Sequence, residues 1–325
     1  MQRFMKGNRF QVLVLGLVFV MMFTFAVGCS SAKDEKPAEN QGTTDTTNQP
    51  AATEELTIGL SISTLSNPFF VTLQDGAQAA ADNAGIKLEV RDAKDDPAKQ
   101  VADIEDLVQK GVDVIIVNPT DGAAVVAGIE AANNANIPVI TVDRGAEGGT
   151  VVTHIASDNV AGGKMAGEFI LQQLNNQGKV VELEGIAGTS AARDRGEGFN
   201  QAIQDVAGIE VVSRQPADFD RSKGMSVMEN ILQSNSDVQA VFAHNDEMAL
   251  GAVEAIAAAG LEGIIVVGFD ATDDAVQAVQ DGKMAATVAQ KPDLMGQIAV
   301  ETAQKVANGE GVDAQIPVEL ELVTK

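Results

Sequence analysis

The side chains able to do chemistry in this 325-residue chain are amides, carboxylates and guanidiniums placed where short apolar runs end. Ser63 and Asn67 follow the first run. Asn118, the pair Asp143 and Arg144, Asn245, Asp270 and Gln290 follow later ones, Asp92 closes another, and the segment after Glu184 supplies Arg193 and Arg195. Any single Asn or Asp here reads as a helix N-cap or turn former. Arg144 and Arg195 do not, because a guanidinium at a helix N-terminus meets the positive end of the macrodipole. Phe69 and Phe70 come directly after Asn67 and Pro68, and Phe219 lies in the polar segment Gln215 to Arg221, an unexpected place for a core residue. An aromatic face against the C–H side of a ring, with amides, carboxylates and guanidiniums at its rim, suits a small polyhydroxylated ring.

That is binding chemistry. The chain has no GxGxxG after its first apolar run, no GxxxxGK[ST], no HExxH and no GxSxG, so nucleotide transfer, zinc hydrolysis and hydrolase chemistry lack their usual parts. His154 and His244 stand alone and read as surface or hydrogen-bonded residues. The aspartate-rich segment Asp92 to Asp96 lacks the Gly and terminal Glu of a calcium loop and reads as a helix start. The single cysteine, Cys29, can neither close a disulfide nor build a thiolate zinc site. Neither a metal nor a cofactor is expected, and the protein is not expected to be an enzyme.

The elements that must position these groups alternate. Apolar runs begin at Leu56, Ile86, Val112, Ile137, Val180, Ile209, Val238 and Ile264, mostly separated by one strand plus one crossover helix. Runs such as Val112 to Val117 barely alternate, as parallel strands covered on both faces do not. Val101, Ile104 and Val108 share a helix face that stops at Gly111; Leu294, Ile298, Thr302 and Val306 share another, entered through Pro292 and closed before Gly309. An additional run, Val151 to Ala156, breaks the rhythm ahead of Asp158, and there the chain is expected to leave one doubly wound parallel sheet and begin a second. A single larger sheet is the alternative. Ligands of open α/β sheets sit at the carboxyl ends of strands, where these polar residues fall.

Before Leu56 the sequence is of another kind. Arg3, Lys6 and Arg9 precede an apolar stretch from Val12 to Val27, the layout of a signal peptide over residues 1–28. Ala26-Val27-Gly28 leads into Cys29 as in the lipobox at which bacterial lipoproteins are cleaved and acylated, although Ala26 stands where Leu is usual. An uncleaved anchor helix is the alternative, with a run at the short end of the ~17 to 25 residues that a span needs. Ser30 to Glu55 holds no apolar residue larger than Ala or Pro and reads as a tether over 29–55, with a flexible reach of roughly 30 Å. The chain carries 46 Asp plus Glu against 22 Lys plus Arg, a formal charge of −24, which repels phosphate backbones and excludes nucleic acid as a partner.

Nine ordered blocks carry a resemblance: STLSNPFF (Ser63 to Phe70), NPTD (Asn118 to Asp121), IPVITVDR (Ile137 to Arg144), HIASDN (His154 to Asn159), GIAGTSAARDRGEGF (Gly185 to Phe199), QPADFDR (Gln215 to Arg221), NDEMALGA (Asn245 to Ala252), VVGFD (Val266 to Asp270) and ATVAQKPD (Ala286 to Asp293). Together they resemble the D-ribose-binding proteins of bacterial ABC importers. The resemblance implies an α/β fold of two doubly wound parallel-sheet domains joined by a three-segment hinge, the type I periplasmic binding protein fold. It places one lobe over 56–157 with 291–319 and the other over 158–290 with 320–325. Carried over, the family's sugar contacts are Ser63, Asn67, Phe69, Phe70, Asn118, Asp143, Arg144, Arg195, Phe219, Asn245, Asp270 and Gln290; Asp92 and Arg193 drop out. The implied partners are D-ribose or a similar monosaccharide and the membrane permease of an ABC importer. The implied form is a monomer outside the cytoplasm, held to the cell membrane only by a lipid on Cys29. Another pentose, a hexose such as allose, or a furanose-like signalling molecule stays open as ligand. More remote are a repressor-type sensory core, which would need a basic helix-turn-helix in front, and a sugar-acting lipoprotein enzyme, for which no carboxylate pair stands out.

Overall fold

The computed structural model describes residues 55–325; the signal peptide, Cys29 and the tether up to residue 54 lie outside the described residues. The chain opens with β1 (Thr57–Ile62), α1 (Pro68–Ala84), β2 (Lys87–Asp92), α2 (Pro97–Lys110), β3 (Val114–Val117), α3 (Val126–Asn134), β4 (Val139–Val142) and β5 (Thr153–Ser157). A second set follows: α4 (Asn159–Gln173), β6 (Gly178–Glu184), α5 (Ser190–Ile203), β7 (Ile209–Pro216), α6 (Arg221–Ser234), β8 (Ala240–Ala243), α7 (Asp246–Ala258), β9 (Ile265–Asp270), α8 (Asp273–Gln280) and β10 (Ala286–Ala289). It ends with α9 (Pro292–Ala307), β11 (Gln315–Val318) and β12 (Glu321–Thr324).

Two six-stranded sheets result, ordered β2-β1-β3-β4-β5-β11 and β7-β6-β8-β9-β10-β12. The pairings are parallel except β10 with β12. The alternative of one larger sheet does not hold. Strand order reverses beside β1 in one sheet and beside β6 in the other, and this switch point opens a crevice at the strands' carboxyl ends. The chain passes between sheets three times: from β5 into α4, from β10 into α9, and from β11 into β12. Helix α9 packs on α1 and on strands of the first sheet, and α4 on α5 and strands of the second.

Local chemistry explains the starts and stops. Asn67 Oδ1 accepts the Phe69 N–H at 2.9 Å with Pro68 at the first helical position, and α1 stops at Gly85 in a left-handed conformation. Asp96 caps α2 in the same way, so the aspartate-rich segment is indeed a helix start. All four residues of β3, and all four of β4, are buried.

The expected stripe on α9 is displaced. Its buried face is Met295, Gly296, Ala299, Val300, Thr302 and Ala303, while Leu294 is 36% exposed. The cause is backbone approach: a Cβ on Gly296 would stand 2.0 Å from the Leu73 carbonyl oxygen. Small residues therefore make the contact with α1, and the bulkier Leu294, Ile298 and Val306 line its edge. On α2 the buried face likewise includes Gln100, fully enclosed beside Ile104 and Leu107, in place of Val101 and Val108. No helix among the described residues is long and apolar enough to cross a membrane.

Candidate functional site

Strand ends deliver the polar residues, and the helix starts hold them. Asn245 ends the turn after β8 and caps α7, its Oδ1 accepting from Met248 N at 3.0 Å and its Nδ2 donating to the Phe219 carbonyl at 3.3 Å. Asp270 is the last residue of β9, and Gln290, just past β10, donates from Nε2 to Asp270 Oδ1 at 2.9 Å. Asp143 and Arg144 follow β4. Three of these positions are strained: Asp143 has φ 61°, Phe219 φ 59° and Asp270 φ 119°, a region that residues with a Cβ seldom adopt. Such strain clusters where side chains must be aimed for a purpose.

Nine of the twelve expected contacts line one cavity between the two sheets: Asn67, Phe69, Phe70, Asp143 and Arg144 from one side, Arg195, Phe219, Asn245 and Asp270 from the other, with Ala191 added. Gln290 reaches the cavity through Asp270. Ser63 and Asn118 stand behind it. Asn118 Oδ1 accepts from Ser63 N at 3.2 Å, and its Nδ2 donates to the Val142 carbonyl at 3.1 Å and to Asp143 Oδ2 at 3.2 Å. Asp92 forms a turn by accepting from Lys94 N, and Arg193 lies on the surface paired with Asp194 and Glu147.

The cavity's charges come in two pairs. Arg144 Nε stands 3.8 Å from Asp143 Oδ2, and Arg195 Nη1 stands 3.5 Å from Asp270 Oδ1, all four side chains at most 5% exposed. Arg144 lies between Phe70 of one lobe, at 4.9 Å, and Phe219 of the other, at 5.2 Å. Arg195 lies 3.9 Å over Phe269. These are cation–π distances. Burial pulls the Arg144 pKa down, with Asp143 opposing. Asp143 Oδ1, Arg144 Nε and Gln290 Oε1 are buried without a hydrogen-bond partner, and a buried polar group left so costs about 1 to 3 kcal/mol. Two of these atoms belong to residues that line the cavity, Asp143 with an acceptor and Arg144 with a donor.

Burial pushes the Asp270 carboxyl up to about 7, against the lowering effect of Arg195 and the Gln290 amide. Asp246, behind it, is raised well above the usual carboxylate range by burial and by Asp270's charge, although it accepts from Thr272 N at 2.8 Å and Thr287 Oγ1 at 2.7 Å. Between its ordinary 3.8 and about 7, Asp270 holds a proton in the folded chain and not in the unfolded one. Its stabilising contribution is therefore full at low pH and is lost as pH rises through that window. Thermal melts without sugar at pH 5 and pH 7 should show a smaller loss for Asp270→Asn than for the unaltered protein. Parallel losses would refute the raised carboxyl.

Of the groups that hold these side chains, sequence reasoning marked His244 as a hydrogen-bonded residue and missed Gln100, Asn159 and Glu182. Buried Gln100 donates to the Asn118 carbonyl at 2.8 Å and accepts from Thr120 N at 2.8 Å. Asn159 Oδ1 and the His244 carbonyl fix Arg195 at 2.8 and 2.7 Å. His244 itself accepts the Gly185 N–H at Nδ1 and lies 3.0 Å from Glu182 through Nε2. A polar residue inside an apolar helix face, as at Gln100, was the one signal available. His154 is held by the Thr141 hydroxyl at 2.9 Å, and no cluster of metal-ligating side chains occurs among the described residues.

Across the cleft the lobes also touch away from the cavity, where Arg193 meets Glu147 and two glycine N–H groups cross. Gly122 N donates to the Gly188 carbonyl at 2.9 Å, and Gly145 N to Ser190 Oγ at 2.9 Å.

Comparison with known proteins agrees with this architecture. The family described as periplasmic binding protein domain matches residues 58–311. The ribose import binding protein of Haemophilus influenzae is 58% identical over 275 residues, 85% of this chain and 94% of its own. That of Bacillus subtilis is 50% identical over 272 residues, 84% of this chain and 88% of its own. An ABC transporter solute binding protein of Bacillus halodurans, solved with bound myo-inositol, superposes with a TM-score of 0.80 at 37% identity, covering 84% of this chain and 96% of that one. A match that spans most of the chain, two sheets of the same strand order, and relatives similar over nearly their whole length have one meaning: this chain belongs to the periplasmic binding protein domain family.

Proposed function

We propose that this protein captures D-ribose, or a monosaccharide close to it, between its two lobes outside the cytoplasm and delivers it to the membrane permease of an ABC importer. It works as a solute-binding component and not as an enzyme. The observation that carries the reading is the convergence, on one small cavity, of two Arg–Asp pairs and three aromatic rings with buried polar atoms in want of partners. Relatives at 50% to 58% identity that are named for ribose import support the choice of sugar. Of the twelve proposed contacts, Asn118 and Ser63 act by holding Asp143 and the first strand end in place.

Ribose has about ten non-hydrogen atoms, so even at the ceiling of ~1.5 kcal/mol per atom its binding cannot exceed about 15 kcal/mol. Micromolar capture requires about 8 kcal/mol and hence that most hydroxyls be paired. A missing hydroxyl would strand a buried charge or amide. Titration calorimetry with ribose, 2-deoxyribose, xylose, allose and an amino acid should give strong binding to ribose and a loss of roughly tenfold or more for the deoxy sugar. Equal heats for all five would defeat the reading. A preference for allose or another hexose would keep the mechanism and change the cargo; the structural relative that holds myo-inositol shows that six-carbon polyols suit a related pocket.

Retention by a lipid on Cys29 is the further part of the proposal, supported by the small residues before that cysteine and the tether-like composition after it. Radiolabelled fatty acid should enter the protein in bacterial cells, and Cys29→Ser should abolish the label; equal labelling of both would refute acylation at this residue.

A further inference from the structure

Asn159 is the first residue of α4, two positions past the end of β5, where the chain leaves the first lobe. It is 6% exposed and does not line the sugar cavity. Its amide bonds in two directions. Oδ1 accepts from Arg195 Nε at 2.8 Å, and Nδ2 donates to the Ser157 carbonyl at 3.4 Å. The second bond spans the backbone torsions of the crossover itself, so rotation about them alters it. The surrounding turn is packed too closely to absorb such a change. A Cβ on Gly162 would lie 2.5 Å from the Phe269 ring and 3.0 Å from Leu320, in the third crossover, and one on Gly163 would lie 2.0 Å from the Arg195 carbonyl oxygen. Phe269 is the ring on which the Arg195 guanidinium rests. One helical turn thus joins two of the three crossovers to one charged group of the cavity.

We propose that Asn159 is a positioning residue that couples occupancy of the cavity at Arg195 to closure of the hinge. The inference rests on the sugar-binding reading above. A sugar that fixes the guanidinium fixes Asn159 with it and favours the crossover conformation at Ser157 that belongs to the closed lobes. A ligand shifts a conformational equilibrium only through such a difference in interaction between the two states.

The test uses the full-length protein in detergent, with Asn159→Ala and Asn159→Asp. Calorimetry reads ribose affinity. Amide hydrogen exchange at Gly122 and Gly145, whose N–H groups bond across the cleft, reads closure. Asn159→Ala strands Arg195 Nε in the interior and is expected to weaken ribose binding by about tenfold or more, leaving both glycine amides less protected at saturating ribose than in the unaltered protein. Asn159→Asp keeps an acceptor for Arg195 and loses the donor to Ser157, so protection at saturation falls with a smaller change in affinity. A residue that merely supports the fold would lower the melting temperature yet allow full protection once the cavity is filled. Full protection at saturating ribose in both variants overturns the coupling, as does Asn159→Ala binding within about twofold of the unaltered protein. If the unaltered protein shows no ribose-dependent protection, the sugar-binding reading falls and this inference falls with it.

Discussion

Replacing Arg144 with alanine is expected to weaken ribose capture by about a hundredfold or more while leaving a folded protein. The guanidinium does two things at once. It offers a buried, unpartnered Nε to the cavity, and it stands between Phe70 of one lobe and Phe219 of the other. A charge-assisted hydrogen bond is worth about 1.5 to 3 kcal/mol, and a desolvated cation–π contact up to about 2 kcal/mol. The sum corresponds to roughly two to three decades in Kd. Truncation also leaves Asp143 with Asn118 as its polar neighbour, an uncompensated charge that works against closing the lobes over it. Arg144→Lys, which keeps the charge but not the planar fork, should fall between the two. Calorimetry with ribose, beside a melt to confirm folding, decides the matter. An alanine variant that binds within about threefold of the unaltered protein would remove Arg144 from the site.

The second large effect falls on stability. Gly198 faces α4 so closely that a Cβ would stand 1.9 Å from the Val160 carbonyl oxygen. The obstacle is backbone, which cannot swing aside as a side chain can. Gly198→Ala must therefore part α4 from α5, an overpacking change that costs about 1 to 3 kcal/mol or more. For a body of this size that is a fall in melting temperature of about 2 to 5 °C. Because α5 carries Arg195 and α4 begins with Asn159, ribose affinity should fall as well. Gly311→Ala is the control for an added methyl group without a clash, since nothing lies within 4 Å of a Cβ there and its backbone is not left-handed. Equal melting temperatures for Gly198→Ala and the unaltered protein would contradict the close approach.

Much of this could be read before any coordinates, and the reason is topological. In a sheet ordered 2-1-3-4-5, the residues after each strand gather at one end whatever lies between them, so listing strand ends comes near to listing a site. Asn67, Asp143, Arg144, Asn245 and Asp270 were legible in that way, and Phe219 stood out because an aromatic in a polar segment has few other uses. What stayed hidden depends on backbone torsion or on contact between distant segments. The left-handed φ of Phe219 has no marker in residue type, and that of Asp143 only the weak one that Asp tolerates this region better than most. Gln100 lies on the face of a largely polar helix that it shares with Ile104 and Leu107, and only its bonds to Asn118 and Thr120 explain its burial. The face of α9 was misplaced because a small residue at Gly296 outweighed bulk in deciding which side packs.

The contacts from Gly122 to Gly188 and from Gly145 to Ser190 lie outside the sugar cavity and involve no group that a ligand could touch. Whatever they contribute is the same for every cargo, about 0.5 to 1.5 kcal/mol for each bond. Dwell time therefore has a part that the cargo does not set, added to the part that the cavity's own contacts supply. Changes at the rim can prolong or shorten how long a meal is held, at a fixed order of preference among sugars. A lineage moving between scarce and plentiful carbon could retune retention there while its palate stays as it was.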